Sequence, residues 1–197
     1  MANLFVIVGL GNPGQKYAET RHNAGFWFLD KLVSRLPTPF RMQSRLFADV
    51  AKGELHGQEC ILVKPATHMN HSGQSVRAVL DYYKVSAQRM LVAYDDLDLP
   101  PGAARLKFGG GHGGHNGMRD IFRHTQNPDF LRLRIGIGHP GIKEQVTPYV
   151  LSRPRVEEQV RIDRAIDAAE DVLDTILNDD LVKAQTRLHT ATKEFEQ

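Results

Sequence analysis

Two residues stand where they could run hydrolytic chemistry. His22 lies near the start of an expected helix, and Asp95 lies at the end of an expected strand. An imidazole with an ordinary pKa of about 6.5 titrates near neutral pH, and a carboxylate on its other nitrogen fixes the tautomer and favours the imidazolium. Such a pair takes a proton from water directly. A covalent route lacks its nucleophile: no serine sits in a G-x-S-x-G turn, and Cys60, the single cysteine, falls in an apolar strand-like run. Asn12, Asn23, Asn70 and Asn116 lie in or beside glycine-rich, turn-like segments. Singly, each reads as a turn residue tolerant of left-handed backbone. Together they make a site of neutral amide donors and acceptors, suited to reading a substrate's own amides.

Two other chemistries compete for the same segments. His68/His71 and His112/His115 both have H-x-x-H spacing, and Asp95 or Asp96 could complete a metal site, so a metal-dependent hydrolase is an alternative. Neither pair comes with H-E-x-x-H or a cysteine partner, and the residues call for no metal and no other cofactor. Gly9, Gly11 and Gly14 match the dinucleotide-binding pattern G-x-G-x-x-G. That reading fails on local physics: Pro13 removes an N–H from the would-be phosphate cradle, the helical period begins only after Thr20, and Asp30 sits inside that period instead of ending a second strand.

The elements that must position these residues follow from hydrophobic periodicity. Leu4 to Val8 reads as a buried strand, and Thr20 as the N-cap of a helix from about Arg21 to Arg35. Pro37 and Pro39 mark a loop. Leu46 to Val50 and Cys60 to Val63 read as a hairpin turning near His56-Gly57, and Val76, Val79, Leu80 and Tyr83 form one face of a helix. Met90 to Tyr94, Ala104 to Phe108 and Leu131 to Ile137 are further strands, with a two-turn helix after Gly117 and helical patterns over Ile162 to Ile176 and Leu181 to Phe195. The expected fold is a single α/β domain spanning residues 1–197. It has three layers, with a twisted mixed, largely parallel β-sheet covered by helices on both faces.

Asn12, Asn70, Asp95 and Asn116 each follow the end of an expected strand. In open α/β sheets ligands bind beyond the carboxyl ends of parallel strands, so the four loops meet there if most strands run parallel. The hairpin means that not all do.

Charge is unevenly distributed. The net charge of the 197 residues is +2, yet residues 151–197 hold 7 Lys/Arg against 11 Asp/Glu, leaving +6 on the part that carries the glycine-rich motifs. A phosphate-bearing partner requires such an excess, although ordinary solubilising charge also produces one. Arg105 with Lys107, and Arg132 with Arg134, each place two cations on one face of a strand. One cysteine excludes a disulfide framework, and no segment approaches a membrane span or a leader pattern, so a cytoplasmic protein is expected.

Five blocks resemble the bacterial-type peptidyl-tRNA hydrolases: GLGNPGQKYAETRHNAG from Gly9, KPATHMNHSG from Lys64, DDLDLPPG from Asp95, GGGHGGHNG from Gly109 and RLRIGIGHP from Arg132. The resemblance implies a monomeric, metal-independent enzyme that hydrolyses the ester between a peptide and the terminal ribose of tRNA. It places the base at His22, its supporting carboxylate at Asp95, and discrimination of N-blocked from free aminoacyl groups at Asn12. Asn70 and Asn116 match substrate-binding amides, and Tyr17 and His68 match contacts to the tRNA terminus. Arg105, Lys107 and Arg134 would hold acceptor-stem phosphates without reading sequence, and His115 would help form that approach. His68 stands where the family more often has Phe or Tyr, and Arg105 where Lys is familiar. A non-catalytic RNA-end-binding module is the competing class, since it would keep the cations and need no His22.

Overall fold

The computed structural model describes residues 3–197 and contains one seven-stranded sheet. In chain order its strands are β1 (Phe5–Gly9), β2 (Arg41–Gln43), β3 (Ala48–Leu55), β4 (Gln58–Pro65), β5 (Met90–Asp96), β6 (Ala104–Phe108) and β7 (Leu131–Gly136). Their spatial order is β2-β3-β4-β1-β5-β7-β6. β4, β1, β5 and β7 run parallel, whereas β2, β3 and β6 are antiparallel to their neighbours. Continuous apolar runs such as FVIVG become the central strands because both faces of a covered parallel sheet are dry.

Helices cover both faces. α1 (Ala24–Val33), α5 (Val156–Asp171), α6 (Leu173–Leu177) and α7 (Leu181–Thr192) bury Phe28, Leu29, Ile162, Ile166, Leu173 and Leu188 against Phe5, Ile7, Leu62 and Leu133. On the other face α2 (Ser72–Tyr83) and α3 (Asn116–Thr125) bury Val76, Val79, Met118 and Ile121 against Val6, Val8, Ile61 and Val92. Alternate residues of β1 thus feed the two cores, as the twofold period of a strand requires. The expected three-layer α/β architecture is the one observed. The hairpin turn is also where expected, with His56 and Gly57 both at positive φ. β2 falls in a segment read as loop: three exposed residues at a sheet edge carry too little pattern to register as a strand.

Two local findings differ from the sequence reading. The first helix opens as a 3₁₀ turn over Arg21–Asn23, and Thr20 does not cap it; its Oγ1 donates instead to Tyr17 O at 2.9 Å, closing the preceding turn. The second concerns β6. Being antiparallel, it ends beside Leu131, at the far end of β7 from Asp95, which pairs with Ile135. The loop after it therefore starts at the wrong end of the sheet and must travel back to reach the site.

Arg132 secures that return path. Its side chain is buried, lies 4.7 Å from the Phe130 ring centroid and 4.8 Å from that of Phe122, and donates to Gly110 O (3.0 Å), Pro128 O (2.8 Å) and Gly111 O. A buried guanidinium is tolerated when carbonyls absorb its donors. Arg132 is thus an anchor for the glycine ribbon and leaves the expected pair of β7 cations with one member, Arg134.

Candidate active site

The turn after β1 is built around Asn12. Leu10 N donates to Ala93 O at 3.0 Å, holding the start of the turn against β5. Gly25 permits the next approach: a Cβ there would lie 2.4 Å from Ala93 O and 2.5 Å from Leu10 N. Asn12 N then donates to Asn23 Oδ1 (2.8 Å), and Asn23 Nδ2 returns a bond to Asn12 O (3.0 Å). Asn12 Oδ1 in turn accepts from Met69 N at 2.7 Å, joining this turn to the one after β4. An amide that accepts from a backbone N–H has its orientation fixed, so Asn12 Nδ2 remains as a donor and has no partner among the described residues.

The turn on which Asn12 and Asn23 lock carries His22, which it sets beside the end of β5. His22 Nδ1 lies 2.9 Å from Asp95 Oδ2 and 3.0 Å from Oδ1. Asp95 has a second partner: His115 Nε2 lies 2.8 Å from Oδ1. The tautomer of His115 follows from its other nitrogen, which accepts from Met118 N at 3.3 Å at the start of α3. Nε2 therefore carries a proton and donates it to Asp95. His22 donates from Nδ1 to the same carboxylate, which leaves the Nε2 lone pair as its reactive function.

Burial and charge tune the pair in opposite directions. Burial works to lower the His22 pKa, but the adjacent Asp95 charge and its hydrogen bond outweigh it, so the net shift is upward. Burial would raise the pKa of Asp95, which is 3 % exposed; the two histidines overcome that and hold the carboxyl far below its usual range. Asp95 is thus a fixed anion and His22 a strengthened base. Cys60 is buried in the core and its thiol is pushed up to about 12, mainly by burial, which removes it as a nucleophile.

His22, Asp95, Asn12, His68, Asn70, His115, Asn116, Lys107 and Arg134 all line one cavity of about 870 Å³ at the carboxyl ends of the parallel strands. The expected convergence of the four loops is met, with the fourth arriving along the Arg132-anchored ribbon. His115 is not a peripheral contact but a direct partner of Asp95. The signal for this was H-x-x-H spacing, which pointed to metal. The His112/His115 pair in fact diverges: His112 Nδ1 accepts from Gly114 N at 3.0 Å while His115 turns to Asp95. Among the described residues the one His/Asp cluster with metal-ligand proximity is His22, Asp95 and His115. Its ligand atoms are spent on one another, and His115 would have to give up the Nε2 proton to bind a cation, so the donor set suits proton transfer better than a metal.

The cations divide. Lys107 is exposed at the cavity. Arg134 pairs with Asp96 through Nε at 2.7 Å, leaving its terminal nitrogens without a partner among the described residues. Arg105, expected to contact phosphate, turns instead to the C-terminal segment, donating to Glu196 Oε1 (2.7 Å) and Thr192 Oγ1 (3.2 Å) and lying outside the cavity. Its planar fork fits a carboxylate, and sequence spacing gave no hint that one would arrive from 91 residues away. Tyr17 also stands outside the cavity lining, with Lys16 Nζ 5.4 Å from its ring centroid.

One set of contacts at the edge of the site escaped the sequence reading. Arg21, 5 % exposed, stacks 3.9 Å from the Tyr149 ring centroid, donates to Ser152 Oγ (2.6 Å) and pairs with Glu158 (2.9 Å). It ties the turn that carries His22 to α4 (Val146–Val150), whose residues Val146 and Val150 wall the cavity.

Comparison with known proteins agrees with this geometry. The family model described as peptidyl-tRNA hydrolase matches residues 6–196. The chain is 52 % identical over 184 residues to the peptidyl-tRNA hydrolase of Halorhodospira halophila, covering 93 % of this chain and 95 % of that one. It is 51 % identical over 193 residues to that of Xanthomonas euvesicatoria, covering 98 % and 100 %. The crystal structure of the Acinetobacter baumannii peptidyl-tRNA hydrolase superposes with a TM-score of 0.91 at 44 % identity, over 95 % of each chain.

Because Asp95 raises the His22 pKa, Asp95→Asn should lower it, leaving the effect of burial less opposed. NMR titration of the His22 ring protons measures this shift. An unchanged or higher value in the variant would contradict the assigned coupling.

Proposed function

This chain belongs to the peptidyl-tRNA hydrolase family and hydrolyses the ester that joins a peptide to tRNA; on that premise we propose that His22 is the general base of the reaction and Asp95 its orienting anion. The supporting observation is the doubly anchored carboxylate, which fixes the proton of His22 on Nδ1 and turns Nε2 towards the cavity. Nε2 takes a proton from water as the water oxygen attacks the ester carbonyl carbon. The resulting imidazolium is stabilised by Asp95. When the tetrahedral intermediate collapses, the C–O bond to the ribose breaks and His22 returns its proton to the leaving ribose oxygen, giving free tRNA and a peptide carboxylic acid that loses its remaining proton to solvent.

Asn12 supplies specificity. With Oδ1 committed to Met69 N, only the Nδ2 donor faces the substrate. An N-blocked residue presents an amide carbonyl to it, which accepts. A free aminoacyl group presents an ammonium, which has only donors, and setting donor against donor is costly. Asn70 and Asn116 add amides around the ester and terminal ribose. His68 offers a ring against which the terminal base can stack, with less area than the family's usual Phe or Tyr.

Lys107 and Arg134, on the two strands at one edge of the sheet, hold acceptor-stem phosphates. Arg105, engaged by Glu196, orders the C-terminal segment beside them, and Tyr17 is available to the tRNA terminus only from outside the cavity. We further read the enzyme as a cytoplasmic monomer; no helix among the described residues is long and apolar enough to cross a membrane.

His22→Ala should retain tRNA binding and lower kcat by a factor on the order of a hundred or more; undiminished turnover would remove His22 as the base. Lys107→Ala and Arg134→Ala should each raise KM with little change in kcat, and flatten the dependence of log KM on log salt by roughly one charge. A salt slope matching the wild type would exclude the phosphate role.

A further inference from the structure

Arg105 and Arg134 stand directly opposite each other in the antiparallel pairing of β6 with β7, and Lys107 follows two residues along β6. Strand alternation puts all three on one face: Ala104 and Leu106 enter the core with Leu133 and Ile135, so the three cations take the other side. Lys107 and Arg134 reach the cavity there. Arg105 does not, because its guanidinium is drawn round β6, the edge strand, to Thr192 and Glu196. Thr192 ends α7, which packs Ala184 and Leu188 into the core beneath the opposite face. We propose that Glu196 is an internal competitor of tRNA: its carboxylate occupies on Arg105 the place of an acceptor-stem phosphate, and tRNA binding exchanges one for the other. The proposal rests on the reading of Lys107 and Arg134 as phosphate contacts.

The two arginines are held by their carboxylates in different ways. Asp96 takes Arg134 through Nε at 2.7 Å, which orients the side chain and leaves its terminal nitrogens unpartnered among the described residues. Glu196 takes Arg105 by the terminal nitrogens themselves: Nη2 donates to Glu196 Oε1 at 2.7 Å, and Nη1 is shared between Thr192 Oγ1 (3.2 Å) and Ala104 O (2.9 Å). Those are the donors with which a guanidinium forks onto a phosphate. Arg134 is therefore positioned for a ligand, whereas Arg105 already holds a substitute for one. Two cations directly opposite on paired strands repel, so Arg105 needs an anion whether or not tRNA is bound. Glu196 supplies it in the free protein.

The exchange is small and local. The side chains of Arg105 and Glu196 are 24 % and 23 % exposed, and an ion pair open to water in this way is weak enough for a phosphate to displace. Glu196 belongs to a segment held by other contacts: Phe195 O packs on Gly102, where a Cβ would lie 2.1 Å from it, and Arg164 Cζ lies 5.6 Å from the Phe195 ring centroid. Releasing Arg105 thus asks for side-chain rotation and no movement of the segment. Glu196 then remains near the bound tRNA as a like charge, which adds to its opposition.

The test is a double-mutant cycle on the Kd for deacylated tRNA, measured across a salt series. Glu196→Ala should lower Kd by about threefold, the scale of freeing a partly exposed ion pair. Arg105→Ala should raise Kd and flatten the dependence of log Kd on log salt by roughly one charge. Glu194→Ala removes the same charge from an exposed position in the same segment and controls for general attraction. The gain from Glu196→Ala should exceed that from Glu194→Ala, and in the Arg105→Ala background it should shrink to the size of that control. A Glu196→Ala gain no larger than the control, a gain that persists undiminished without Arg105, or an unchanged salt slope in Arg105→Ala would each overturn the exchange. If Lys107→Ala and Arg134→Ala also bind with the Kd and slope of the wild type, the reading of the phosphate contacts falls instead.

Discussion

The buried carboxylate of Asp95, accepting from two imidazole N–H groups at once, is the interaction on which the rest of the site depends. An isolated anion in a dry interior would neutralise by taking a proton; two donors within 3.0 Å keep it charged. The same bonds decide what each histidine can do. His115, with Nδ1 accepting from the first turn of α3, is fixed as a donor to Asp95, and His22 is left with one lone pair directed into the cavity. One side chain therefore sets the tautomer and the orientation of His22 and raises its pKa.

The fold exists around that constraint. β1 and β5 are neighbours, so the turn carrying His22 and the strand end carrying Asp95 emerge side by side. Contact still requires the turn to lie flat on β5, which Gly25 allows, since any side chain there would collide with Ala93 O and Leu10 N. The third partner comes by a longer route. His115 reaches Asp95 because the ribbon after β6 climbs back across the sheet, with its carbonyls held by the Arg132 guanidinium. A strand running against the others is thereby made compatible with a site at the carboxyl ends.

Much of this was legible in the sequence, and for identifiable reasons. The central strands are uninterrupted apolar runs, and the helices have clear amphipathic periods, so the layers followed from pattern alone. His22, Asp95 and the asparagines could be placed near one another because ligands gather at the ends of parallel strands. What the sequence hid were long-range partnerships. Arg132 and Arg134 sit two residues apart on one strand and look alike, yet one is buried against aromatic rings with its donors on backbone carbonyls while the other pairs with Asp96. Arg105 was read as a phosphate contact, but Glu196 engages it, and Arg21, named only as the start of a helix, is enclosed by Tyr149 and Glu158. The role of His115 was obscured by a spacing that imitates a metal motif. Periodicity reports which face a residue takes; it does not report who arrives there from elsewhere in the chain.

The central claim is that neutral His22, polarised by Asp95, removes the proton from water. The most direct measurement is the pH dependence of kcat/KM, compared with the His22 pKa read by NMR on the same free protein. On this account the rate rises with pH through an acid limb centred on that pKa and levels above it, because protonated His22 has no lone pair to offer. A rate that is flat through the His22 titration, or that falls as His22 loses its proton, would contradict the assignment of the base.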